Sequence, residues 1–222
     1  MSRGQSGNAI LIILIAVFLF GALAAAFMRG ARSGKTNLTA SQTKLAAQQI
    51  LEYSALLGRT VNKLRQRNCA ENYISFEAGS NGFANASAPV DMSCHVYNAA
   101  GGNITVADFT NYMVPSGSRV WGANRFFSGT AMQGVGTAAP ELVFNVPDLR
   151  LEVCEAINKE LSISGPISQD TVATTFATGN LASTPSETYG DNGTNVAGIV
   201  GKEEFCGQTT AGYTYFKVLI SR

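Results

Sequence analysis

The chain has 222 residues, of which 45% are hydrophobic and only 14% charged. Sixteen basic against fifteen acidic side chains leave a formal net charge of +1, which excludes the strong positive field that draws a protein to nucleic acid. The length excludes two full domains beyond an N-terminal extension, and allows one with its own core.

Residues 1–8 form a short N-terminal leader containing Arg3, Gly4 and Gly7. From Ala9 to Met28 run twenty residues without a charge, and a helix of that length spans about 30 Å, the thickness of a bilayer core. A transmembrane helix over 9–28 is therefore expected. Arg29, Arg32 and Lys35 rival Arg3 and the amino terminus as flanking charge, so orientation is not fixed by the positive-inside rule. Three readings compete for the segment: a signal peptide cleaved near Ala22-Leu23-Ala24 or Ala24-Ala25-Ala26, a permanent single-pass anchor, and a helix that leaves the membrane for a filament. Gly21, Ala22 and Ala25 lie on a small-residue face of the kind that lets helices approach closely.

Residues 29–68 read as an amphipathic helix. Ala46, Ile50, Tyr53, Leu57, Val61 and Leu64 recur at steps of three and four, while Lys44, Gln48, Glu52, Arg59, Lys63 and Arg67 fall largely elsewhere. Gly30, Ser33 and Gly34 sit at the junction and favour a bend or a short melted stretch. The two halves are thus either one long helix or an anchor, a flexible joint and a separate helix.

Residues 69–222 form the head. Short strands are expected at Ile74–Phe76, Cys94–Tyr97, Ile104–Val106, Arg119–Trp121 and Glu141–Val146, bounded by Gly, Pro and Asn. A second helix is expected from Pro147 to Leu161, with proline at its first position and Asp148 in its first turn. The run Tyr213–Ile220 is apolar on both faces and reads as a strand covered on each side. Gly79–Ala88 and Ala177–Gly201 lack periodicity and read as surface loops. The fold class is α+β: a long N-terminal helix packed on a small, loop-rich, mainly antiparallel sheet with a second helix.

Cys69, Cys94, Cys154 and Cys206 allow three disulfide pairings; sequential pairing, Cys69 with Cys94 and Cys154 with Cys206, keeps both loops short and is favoured. A zinc site is disfavoured, because no Cys-x-x-Cys pair occurs and His95 is the single histidine. That lone His95 beside Cys94 makes a poor general base, and no nucleophile elbow or phosphate-cradling glycine loop is present. Neither catalytic residue, cofactor nor metal ligand is assigned. Asp191-Asn192-Gly193 with Glu187 and Asn195 could offer oxygens to calcium, but that tripeptide is first of all a turn. Asn37, Asn85, Asn103 and Asn192 each open an Asn-x-Ser/Thr triplet, and Trp121, Phe126 and Phe127 read as packing residues.

The leader ending in Arg3-Gly4, the immediate apolar helix, its amphipathic continuation and the cysteine-bearing head together resemble type IV pilins and pseudopilins. The resemblance covers residues 1 to 67 well and the head only in style. It implies cleavage by a prepilin peptidase after Gly4 or Gly7, giving a mature start at Gln5 or Asn8, and packing of the helix with other pilin subunits. Members usually carry glutamate at the fifth mature position; here that position is Ala9 or Ile12, which fits a minor or tip subunit better than a major pilin. The head also resembles uncharacterised alphaproteobacterial proteins at Cys94-His95-Val96, Val153–Asn158 and Tyr215–Arg222. The expectation is a non-enzymatic structural subunit in the inner membrane, with its head in the periplasm or on an extracellular pilus. An anchored or secreted periplasmic binding or adhesion domain is the alternative, and an exported enzyme the third reading.

Overall fold

The computed structural model describes residues 13–19, 38–78, 85–114, 125–170, 187–190, 193–210 and 212–222, and for residues 125–130 and 187 the backbone alone. Two compact units divide the chain, Met1–Ser41 and Gln42–Arg222. In the first, residues 13–19 are helical with exposed side chains. Among the described residues no helix is long and apolar enough to cross a membrane. The leader residues Gly4, Gln5 and Gly7 and the small-residue positions Gly21, Ala22 and Ala25 lie outside the described residues.

The second unit is α+β. Helix α1 runs Ala40–Gln66, and its 27 residues bury the stripe the sequence marks: Ala46, Ile50, Leu57, Val61 and Leu64 are fully buried, with Ala47, Ser54 and Thr60 beside them. Its end is closed by backbone geometry. Asn68 adopts a left-handed φ of 68°, so its N–H reaches Arg65 O at 3.0 Å while the Cys69 N–H reaches Leu64 O at 3.1 Å. That is a Schellman closure, assisted by Lys63 and Arg65 against the negative helix end.

Five strands follow: β1 Arg125–Met132, β2 Glu141–Leu149, β3 Glu187–Tyr189, β4 Glu204–Thr209 and β5 Gly212–Ile220, in the order β3-β1-β2-β5-β4. All pairings are antiparallel except β1 with β3. Helix α2, Leu151–Glu160, precedes β3 in sequence and ends in a second Schellman closure, with Ser162 at φ 56° and the Ile163 N–H on Asn158 O at 2.8 Å.

Both helices lie on one face of the sheet. The Tyr53 ring of α1 meets Phe144 of β2 edge-on at 5.8 Å, and Ser54 Oγ donates to Glu204 Oε1 of β4 at 3.0 Å. Alternation turns Val143, Phe205, Phe216 and Val218 to the other face, where Met132, Tyr189 and Ile199 cover them. Central strands covered on both sides must be apolar throughout, and β2 and β5 are almost wholly buried.

The structure corrects several expectations. The second helix starts at Leu151 and not at Pro147, because β2 continues to Leu149. Pro147 sits where the β2–β5 register slips between Val146 and Leu149, and Asp148 takes a φ of 56°. A residue without an N–H is tolerated at such a bulge. Ile74–Phe76 and Cys94–Tyr97 shrink to one bridge between Ser75 and His95, and Ile104–Val106 forms no strand. Arg119–Trp121 lies outside the described residues. Within the expected loops, Glu187–Tyr189 is a strand and Asn85 is buried.

Candidate functional site

Among the described residues a cleft of about 520 Å³ is built on the Ser75–His95 bridge. Two hydrogen bonds make the bridge: the Ser75 N–H to Cys94 O at 3.1 Å and the Val96 N–H to Ser75 O at 2.9 Å. On its far side the Gly102 N–H donates to His95 O at 2.9 Å. A Cβ on Gly101 would collide with that same carbonyl, so only glycine lets the turn close on it. The Cys69–Cys94 disulfide ties this layer to the end of α1, with Cα atoms 5.7 Å apart. A volume of this order is typical of ligand-binding pockets.

His95 is the inner wall, its side chain only 7% exposed. Its Nε2 lies 3.7 Å from Glu77 Oε2, beyond the usual hydrogen-bond range of about 2.7–3.2 Å. Its Nδ1 is buried and, among the described residues, without a hydrogen-bond partner. Tyr97 adds an aromatic side chain whose hydroxyl lies 3.3 Å from that of Tyr53, and burial pushes its pKa well above the usual phenol value. Asp91, near His95, is held below the ordinary carboxylate range by hydrogen bonds from the Ser93 hydroxyl and N–H, and so is charged at neutral pH. Met92, Ile104 and Val106 supply an aliphatic border. Among the described residues the lining therefore combines one carboxylate, a buried imidazole, amide side chains and apolar wall, with no serine or cysteine nucleophile.

A second polar constellation fastens α1 to the sheet. Glu204 accepts from Ser54, from the Tyr215 hydroxyl and from Lys217 Nζ, the last at 3.2 Å. Tyr215 is fully buried, and desolvation, with the neighbouring Glu204 charge second, drives its pKa well up. This network is a clamp: each polar group it buries finds a partner in another element.

The other sequence candidates separate. Cys154 of α2 is joined to Cys206 of β4, so both disulfides are the sequential pairs favoured above. Asn158, one turn beyond Cys154, accepts the Cys206 N–H and donates to the Cys206 carbonyl, each at 2.8 Å. Asn85 uses its Nδ2 on Asn72 O and Ile74 O, which leaves that triplet no amide free for a glycan. Asp191, Asn192, Trp121 and the side chains of Glu187, Phe126 and Phe127 lie outside the described residues. Among the described residues no cluster of three or more His, Cys, Asp or Glu could hold a metal ion. Comparison with protein-family models, curated proteins and solved structures finds no match for this chain.

The sequence did not single out Glu77, Asn98 or Asn103 as partners of His95. A lone histidine beside a cysteine was the available signal; the turn over 98–103 is closed onto it by local backbone bonds, the Gly102 N–H to His95 O among them, while Glu77 arrives from a segment some twenty residues earlier.

Proposed function

We propose that the chain is a non-enzymatic, membrane-anchored, pilin-like subunit of the minor or tip type. The observation that supports this reading is the 27-residue α1, whose apolar stripe docks on the sheet and which follows an uncharged run long enough to cross a bilayer. In this reading the run and α1 belong to one long helix. The front half anchors the subunit in the inner membrane and later packs with other pilin subunits; the back half presents the head. Two disulfides suit a head in the periplasm or on an extracellular pilus, where thiols are oxidised. A prepilin peptidase would act at Gly4 or Gly7.

Assembly can be tested apart from anchoring. A bilayer accepts bulky apolar side chains anywhere on a helix, whereas close helix packing requires small ones. Gly21→Leu or Ala25→Leu should leave membrane insertion intact and reduce crosslinking to pilin subunits from cysteines placed at neighbouring positions. Undiminished filament formation with no pilin captured would reject the filament reading. The cleft at His95 favours a second reading, an anchored binding domain outside any filament.

A further inference from the structure

We infer that the cleft beside His95 is a receptor for an organic cation on an aliphatic stem, the chemistry of a lysine side chain or a free alkylamine. This holds whether or not the chain joins a filament. Three features of the lining select that class.

The first is charge. Among the described residues Glu77 is the one carboxylate of the lining, and its side chain is 41% exposed. The second is access: among the described residues its carboxylate has no protein donor closer than the imidazole Nε2 at 3.7 Å, so its partner is water, which a ligand can displace. A half-exposed carboxylate at the wall of a cleft is completed by a donor that brings positive charge. The third is the apolar border. Met92 and Val106 are each 40% exposed, and beside Ile104 they form a surface on which methylene groups lose water while the charged head reaches the carboxylate. An anion would meet Glu77 and the nearby Asp91; a purely apolar ligand would strand the carboxylate.

His95 makes the site self-reporting. It is the only histidine in the chain, so its imidazole signals in an NMR spectrum belong to one residue. Among the described residues the charged groups near it are Glu77, Asp91 and Arg67, the last through its hydrogen bond to Gly101 O at 3.4 Å. A cation bound at Glu77 brings its charge and its methylene stem beside the imidazole, so the His95 signals should shift when the site is filled.

The experiment titrates the full chain, histidine-labelled and in non-ionic detergent, with Nα-acetyl-lysine methylamide, with cadaverine and with neutral Nα-acetyl-norleucine methylamide. A single ion pair with a short apolar contact should give a dissociation constant on the order of 1 mM. The expected result is a saturable shift of the His95 signals with both amines and none with the norleucine compound. Stronger binding of the lysine compound would assign the site to a peptide side chain, and stronger binding of cadaverine to a free amine. Glu77→Gln should weaken binding tenfold or more, and Val106→Lys, which brings its own cation, should abolish it in a protein whose other signals are unchanged. No saturable shift, equal binding of the norleucine compound, or undiminished binding by Glu77→Gln would overturn the inference.

Discussion

Leu56 and Leu57 are neighbours on α1 with opposite surroundings, Leu57 fully buried and Leu56 37% exposed. Replacing Leu57 with alanine removes three carbons from a packed interior, which costs about 2.4 kcal/mol at ~0.8 kcal/mol per methylene. The unfilled cavity adds to this and brings the loss to about 3–4 kcal/mol, inside the range of about 2–5 kcal/mol for such changes. Leu56→Ala uncovers little new surface and should cost about 1 kcal/mol or less. Urea unfolding of the oxidised full chain in non-ionic detergent, followed by near-UV circular dichroism, reads the head's tertiary packing. With a slope of about 2 kcal/mol per molar, Leu57→Ala should lower the midpoint by about 1.5 M and Leu56→Ala by about 0.5 M or less. Equal losses, or a larger one for Leu56→Ala, would show that α1 meets the sheet through another face.

Asn158→Ala removes both hydrogen bonds to edge strand β4, orphaning the Cys206 N–H and carbonyl at about 1–3 kcal/mol each, and should leave an edge open to pairing. Sedimentation should then show concentration-dependent self-association that the parent lacks; an unchanged monomer of unchanged stability would refute the edge-sealing role. Glu141 is buried, with Oε2 accepting the Met132 N–H at 2.9 Å and Oε1 unpartnered among the described residues, and burial raises its carboxyl pKa. The folded state thus holds this proton more tightly than the unfolded state: Glu141 costs nothing below its unfolded pKa and destabilises as pH rises from there through the folded one. Glu141→Gln should therefore match the parent near pH 3 and exceed it at pH 7 in urea midpoint. A variant equal or weaker at pH 7 would contradict that assignment.

The elements legible in the sequence were those whose pattern is local. The α1 stripe repeats for five turns, and Tyr213–Ile220 is apolar on both faces because β5 lies at the interior of the sheet with helices on one side. Strand β4 was hidden. Its helix-facing residues are Glu204, Cys206 and Gln208, a polar set made tolerable by Ser54, Tyr215, Lys217 and the disulfide, all supplied from elsewhere. Strand β3 has three residues and gains its pairing from β1, more than fifty positions earlier. Pro147 misled because proline opens helices and also occupies bulges, and only the register against β5 decides between them. The cleft was half legible: His95 stood out as a single histidine, while Glu77 became its neighbour through one parallel bridge.

The mature amino terminus tests the pilin-like reading most directly, because the three fates of the apolar segment leave three different chains. Intact-mass and N-terminal peptide analysis of protein taken from the membrane of its native cell should find a start at Gln5 or Asn8, with the segment through Phe27 retained. A start at Phe27 would make the segment an ordinary cleaved signal, and an uncut Met1 would make it a plain anchor; either contradicts a pilin-like subunit.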